Sequence, residues 1–168
     1  MAALDSAPLT QPLNIQFFLP TAKGNDTMIG GNGTETFKGC TGDDDMTGGL
    51  GSDNFIIDYP QIGGENLTVA GIESDIIRDF IDGTDIFTIE NLLDVDGGGV
   101  GLSDLLAVSE VVNDGTGDVK LVIYDDVAHN NMLGEIIFDN IAYDASLPGG
   151  GDDINEYVVD PSSIVIAS

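Results

Sequence analysis

Histidine and cysteine are almost missing from this 168-residue chain, which has one of each, His129 and Cys40. A single cysteine excludes an internal disulfide and leaves the redox compartment open. One histidine and one cysteine cannot build a zinc cage, and without a second histidine there is no H-E-x-x-H metalloprotease site. Basic residues are nearly as scarce, four against thirty acids, for a formal net charge of -26. A field of that sign repels phosphate, which excludes nucleic acid and anionic membrane surfaces as partners. No apolar run approaches the roughly 18 residues of a membrane helix, so no membrane span is expected. The start, MAALDSAPLTQPLNIQFF, lacks the basic segment and long apolar stretch of a cleaved secretory signal. Disordered chains combine high charge with low hydrophobicity. Here 42% of residues are hydrophobic and mean hydropathy is slightly positive, so the chain is expected to fold as one domain.

What is abundant is glycine and aspartate, crowded into residues 24–56. Read in nines, the chain runs TAKGNDTMI (21–29), GGNGTETFK (30–38), GCTGDDDMT (39–47) and GGLGSDNFI (48–56) without a gap. The fourth place is always glycine (Gly24, Gly33, Gly42, Gly51). The sixth is always acidic (Asp26, Glu35, Asp44, Asp53), and the eighth is a large apolar residue (Met28, Phe37, Met46, Phe55). This is the G-G-x-G-x-D-x-U-x repeat of calcium-binding parallel β-helices.

Glycine supplies the positive φ and close backbone approach of a tight turn, and the last three residues suffice for a short strand whose middle side chain points inward. One nonapeptide is then half a coil, and residues two nonapeptides apart stack. Met28 falls over Met46 on one sheet and Phe37 over Phe55 on the other. Asp26 comes beside Asp44, and Glu35 beside Asp53. Carboxylates held so close repel unless a cation lies between them. Carboxylates with the carbonyls of a glycine turn suit Ca2+, whereas magnesium keeps its waters and zinc wants nitrogen or sulfur.

The segment resembles the repeats-in-toxin (RTX, haemolysin-type) β-roll of bacterial proteins exported by type I secretion. The resemblance implies an all-β fold, a short right-handed parallel β-roll capped by antiparallel strands. In that family calcium lies between one turn and the next but one. Carried over, one site uses Ala22, Gly24 and Asp26 with Gly39, Thr41 and Asp44; a second uses Gly31, Gly33 and Glu35 with Gly48, Leu50 and Asp53. Thr21, Ala22 and Lys23 replace the opening glycines of the first repeat, Glu35 is longer than the usual aspartate, and Cys40 stands where glycine is usual. The ruler resumes in AGIESDIIR (70–78). A third site there pairs Cys40, Gly42 and Asp44 with Ala70, Ile72 and Asp75, provided that a 13-residue insertion (57–69) loops out. SDIIRDFIDGTDIFTI (74–89) resembles the family's post-repeat signature, in which Asp75, Asp79, Phe80, Gly83 and Asp85 match. Asp79 and Asp85 are either further ligands or solvated turn acids.

Four repeats cannot bury the ends of a solenoid, so caps are expected. Residues 1–20 read as a flexible leader followed by a capping strand in NIQFFLP (14–20), residues 21–92 as the roll, and 93–168 as a C-terminal capping β region. Within the latter, GLSDLLAVSEVV fits a short helix or a strand, DVKLVIYDD and GEIIFDNI read as strands joined by the hairpin loop VAHNNML, and SSIVI closes the chain as a strand. The tail VVDPSSIVIAS is compatible with an uncleaved C-terminal export signal or with an ordinary final strand.

No enzyme is expected. His129 reads as a polar residue at a hairpin tip, no serine is singled out for a triad, and Arg78, the only arginine, is expected to pair with acids. DVDGGGVGLSDL opens like a helix-loop-helix calcium hand but has Leu105 where the bidentate glutamate belongs. The reading is a non-catalytic calcium-binding module of a secreted or cell-surface protein that folds on calcium binding after export, with the type I secretion machinery as a partner. The alternatives are a polysaccharide- or partner-binding accessory module of a larger secreted enzyme, such as those attached to alginate-modifying epimerases, and a surface or adhesion protein.

Overall fold

A computed structural model describes residues 16–17, 24–39, 42–58, 73–90, 97–99, 101–124, 126–147, 151, 154–160 and 162–167. Each nonapeptide ends in a strand, as three residues around one apolar side chain dictate. The repeats supply β2 (Thr27–Ile29), β3 (Thr36–Gly39), β4 (Asp45–Thr47) and β5 (Asn54–Asp58), preceded by β1 (Gln16–Phe17). After the insertion come β6 (Glu73–Ile77) and β7 (Ile86–Glu90), a short helix α1 (Leu102–Ala107), then β8 (Ser109–Asn113), β9 (Asp118–Tyr124), β10 (Met132–Ala142) and β11 (Ile164–Ala167). A 3-10 turn covers Ile154–Glu156. The protein is mostly β.

From β1 to β7 successive strands alternate between two sheets, whereas β8, β9 and β10 all join one of them. One has the order β1-β3-β5-β7-β11, the other β2-β4-β6-β10-β9-β8. The repeat strands pair in parallel and in the expected register, Met28 with Met46 and Phe37 with Phe55. The Phe37 and Phe55 rings stack with centroids 5.5 Å apart. The insertion leaves the winding intact: Met46 pairs with Ile77 and Phe55 with Phe87. Residues 59–72, which contain most of that insertion, lie outside the described residues.

The C-terminal region is joined edge to edge. Edge strands expose unpaired N–H and C=O groups. Here β10 satisfies those of β6 in parallel, and β11 satisfies those of β7 in parallel. Among the described residues the antiparallel pairs are β10 with β9 and β9 with β8. The expected cap of antiparallel strands is therefore joined to the repeats by parallel pairs, because the two sheets of the repeats continue sideways into the C-terminal region. At the other end β1 pairs with β3 over Gln16 and Phe17; the remainder of the expected strand 14–20, and the leader before it, lie outside the described residues.

The ambiguous GLSDLLAVSEVV is both a helix and a strand. Asp104 accepts a hydrogen bond from the Gly101 N–H (2.8 Å) and caps α1, and the Ser109 hydroxyl donates to the Leu105 carbonyl (2.7 Å) where β8 begins. One core unites the repeats and the C-terminal region, with Phe37, Met46, Phe55, Phe87, Leu121 and Phe138 all fully buried.

Candidate metal centre

The turns that precede the strands form the two long edges of this coil. On one edge lie Asp26 and Asp44, with Asp75 stacked on them from within β6; on the other lie Glu35, Asp53 and Asp85. Each acid that follows another along an edge accepts a hydrogen bond from the backbone N–H of its predecessor. Asp26 N–H donates to Asp44 Oδ1 (2.9 Å) and Asp44 N–H to Asp75 Oδ1 (2.9 Å). On the second edge Glu35 N–H donates to Asp53 Oδ1 (2.8 Å) and Asp53 N–H to Asp85 Oδ1 (2.9 Å). The sequence periodicity thus becomes two ladders of carboxylates.

The sequence makes this possible at the glycines. A Cβ on Gly51 would lie 1.6 Å from the Gly33 carbonyl oxygen, and its φ is +135°. Only a residue without a side chain lets the two coils approach so closely. Gly39 and Gly48 lie beneath the carboxylates of their own turns, since a Cβ on either would meet Asp44 Oδ2 at 2.8 Å or Asp53 Oδ2 at 2.5 Å. Gly42 packs likewise on the backbone of Gly24. The Gly31 carbonyl accepts from the Leu50 N–H (2.7 Å), and Glu35, the longer acid, folds back to accept from the Gly31 N–H (3.3 Å).

Glu35, Asp44, Asp53, Asp75 and Asp85 are all buried. Burial raises the carboxyl pKa of Asp44, Asp53 and Asp85 above the ordinary carboxylate range; the N–H donors oppose this, and neighbouring acids reinforce it. For Asp44 those neighbours are Asp26 and Asp43; for Asp53 they are Glu35 and Asp79; for Asp85 they are Asp53 and Asp79. Buried like charges in register favour either a proton or a cation.

Of the residues expected as ligands, Gly24, Asp26, Gly31, Gly33, Glu35, Gly39, Gly42, Asp44, Gly48, Leu50, Asp53 and Asp75 fall on these two edges. Ala22, Cys40, Thr41, Ala70 and Ile72 lie outside the described residues. Asp85 occupies the next rung of the second edge and also accepts from the Ile81 N–H (2.8 Å). Asp79 reaches back a full coil and accepts from the Gly48 and Gly49 N–H groups (2.7 and 2.8 Å). Among the described residues no three histidine, cysteine or acidic side chains converge on one point. Any cation here must draw on peptide carbonyls as well as acids.

Two features escaped the sequence reading. Asn25 and Asp43 exchange hydrogen bonds, and Asp43 accepts from the Ser74 N–H (3.0 Å), which makes an outer polar ladder beside the acids. Its signal was present: the fifth place of every repeat is polar (Asn25, Thr34, Asp43, Ser52). Asp82 accepts from the Val159 and Asp160 N–H groups and ties the C-terminal segment to the last turn. No periodicity marks that contact.

His129 lies in the β9–β10 loop with φ 54° and stacks on Tyr124, centroids 4.3 Å apart. Arg78 grips Asp45 through two nitrogens and Asp139 through a third. Lys38 pairs with Glu90, and Lys120 with Glu135. No helix among the described residues is long and apolar enough to cross a membrane.

No protein-family model matches the chain, and no curated protein matches it. Among solved structures it is similar to the solution structure of the AlgE6R3 subunit from the Azotobacter vinelandii mannuronan C5-epimerase. Identity is 20%, coverage is 77% of this chain and 78% of that one, and the TM-score is 0.27.

Proposed function

We propose that this chain is a calcium-binding parallel β-roll of the repeats-in-toxin kind, a non-catalytic module of a secreted bacterial protein that folds when calcium arrives after type I export. One observation carries the reading: acids two nonapeptides apart are linked, the Asp26 N–H to the Asp44 carboxylate and the Glu35 N–H to the Asp53 carboxylate, with Glu35, Asp44 and Asp53 buried and Asp26 half-buried. The donor chemistry fits a hard cation, with carboxylate oxygens and the carbonyls of glycine turns on each edge and little nitrogen or sulfur at hand. Asp26 and Asp44 with the carbonyls of Ala22, Gly24, Gly39 and Thr41 would hold one ion. Glu35 and Asp53 with those of Gly31, Gly33, Gly48 and Leu50 would hold a second. Asp44 and Asp75 would serve a third with Cys40, Gly42, Ala70 and Ile72, and Asp79 and Asp85 complete the acidic surroundings of the second edge.

The chain's own residues set the folding equilibrium. Where calcium is scarce, stacked acids repel and hold the chain loose enough for export. Outside the cell, sites with the affinity usual for extracellular modules, about 0.1 to 1 mM, fill and remove the repulsion. Each filled site adds RT ln(1 + [L]/Kd), about 1.4 kcal/mol at ten times Kd. Two or three sites then supply stability comparable with the whole margin of a small domain. Lys38, Arg78 and Lys120 each face a carboxylate, which does not favour a grip on an anionic polysaccharide.

Circular dichroism in EDTA followed by calcium titration tests the reading. The expected result is a β spectrum that appears with calcium in the sub-millimolar to millimolar range, with two or three ions per chain by metal analysis. A β spectrum indifferent to chelation overturns it.

A further inference from the structure

We propose that the corner where the second acidic edge meets β7 and β11 is a docking surface for a basic amphipathic segment of a protein partner. Eight large aliphatic residues stand exposed among the described residues, and five belong to this corner: Leu50, Ile81, Ile86, Val159 and Val165. Val159 is 71% exposed, Leu50 66% and Ile81 50%. Hydrogen bonds place their backbones side by side. Asp79 accepts from the N–H groups of Gly48 and Gly49, the two residues before Leu50, and so sets the turn of Ile81 over the turn of Leu50. Asp82 holds the Val159 N–H (3.0 Å), the Gly83 N–H donates to the Ser163 hydroxyl (2.8 Å), and the Ser163 carbonyl accepts from Phe87 N–H (2.7 Å). The pairing of Val165 with Thr88 carries the surface onto β11. Apolar side chains gathered at one place, rather than scattered singly, mark interaction sites.

The charge of the surroundings selects the occupant. Asp82 and Asp160 stand among these aliphatic residues, while the described bases are engaged elsewhere: Arg78 and Lys120 on the other sheet, and Lys38 with Glu90 at the far end of β7. A second copy of a chain with net charge -26 would bring acid against acid. An apolar segment flanked by Lys or Arg meets both features, with its aliphatic side chains on Ile81 and Val159 and its charges on the aspartates.

The experiment uses the full chain in saturating calcium, with circular dichroism to verify that each variant keeps the wild-type spectrum. This separates the proposal from the calcium reading, which fails on the spectrum alone. Two synthetic peptides of equal length and lysine content are titrated by fluorescence anisotropy, one alternating Lys with Leu and the other Lys with Ser. The wild type is expected to prefer the Lys/Leu peptide by about tenfold. The double variant Ile81→Ser/Val159→Ser should bind both within about twofold. Val127→Ser, equally exposed on the distant β9–β10 loop, should keep the preference. Equal binding of both peptides by the wild type, or a preference that survives in the double variant, overturns the proposal. So does a calcium-loaded dimer in sedimentation that the double variant abolishes, since the occupant would then be a second copy.

Discussion

At the scale of single residues, the repeat works through glycines that forbid a side chain and acids that demand a partner. Gly51, at the invariant fourth place of its repeat, and Gly31, at the variable second place, differ in surroundings: a Cβ on Gly31 meets nothing within 4 Å, whereas on Gly51 it would overlap the Gly33 carbonyl. Gly51→Ala should therefore cost on the order of 3 kcal/mol, and Gly31→Ala less than about 1 kcal/mol, both read from urea melts in saturating calcium. Among the acids, Asp44 both accepts from Asp26 and donates its N–H to Asp75. Asp44→Ala is expected to raise the calcium midpoint of folding about tenfold or more, a loss of about 1.4 kcal/mol or greater. Asp43→Ala, on the exposed outer ladder, should move it much less. Equal midpoints for the two would contradict the assignment of Asp44 to the inner ladder. The sixth-place acids were legible because a nine-residue period brings like onto like. Asp82 was not, because its partners lie 77 and 78 residues away and obey no period.

At the scale of elements, three-residue strands have little stability of their own and depend on what lies above and below. Phe37, Phe55, Phe80 and Phe138 form a continuous aromatic run from the repeats into the C-terminal region, with centroids 5.5, 6.3 and 5.5 Å apart. Phe138→Ala should thus cost about 3 to 5 kcal/mol and unfold the repeats along with β10, seen as a single shared transition. Arg78 links β4 to β10 by gripping Asp45 and Asp139, yet all three side chains are substantially exposed. Arg78→Met should cost less than about 1 kcal/mol in the same melt. A larger loss for Arg78→Met than for Phe138→Ala would show that ion pairing, not packing, joins the two regions. The repeat strands were legible from residue 27 to residue 56, and β9, β10 and β11 as apolar runs; Ile57 and Asp58, expected in the looped-out insertion, extend β5 instead, and Met132 and Leu133, expected in the hairpin loop, begin β10. The parallel pairing of β10 with β6 was not, since it depends on which sheet edges remain open once the coil has formed.

For the whole molecule, the governing quantity is the cost of holding acids buried and side by side, and pH tests it. Asp44, Asp53 and Asp85 have raised pKa values in the folded state, so the fold binds protons more tightly than the unfolded chain does. Their protonation stabilises the fold fully below the unfolded value near 3.8, and that contribution is lost as pH rises through the raised values. Asp114, Asp126, Asp144 and Asp160 act oppositely: hydrogen bonds from Thr116, Asn130, Ser146 and Ser162 lower them, Asp114 to about 2, and their contribution is lost as pH falls below 3.8. In EDTA the thermal midpoint should therefore rise as pH is lowered from 7 toward about 4. In calcium the rise should vanish, and the calcium midpoint should climb as protons compete for the same carboxylates. An EDTA midpoint that falls steadily on acidification would contradict the burial of these groups.

The amino-acid sequence by itself determined the period, the inward and outward faces of each repeat strand, and the alignment of Asp26 with Asp44 and of Glu35 with Asp53. Each follows from spacing along one chain, and spacing survives in any conformation that winds regularly. Only the tertiary structure decided how β10 and β11 extend the two sheets, which backbone groups Asp79 and Asp82 secure, and that the segments carrying Leu50, Ile81 and Val159 are tied to one another. Those outcomes join residues from different parts of the chain, and their physical cause is the need of open sheet edges and turn N–H groups for partners once the coil exists.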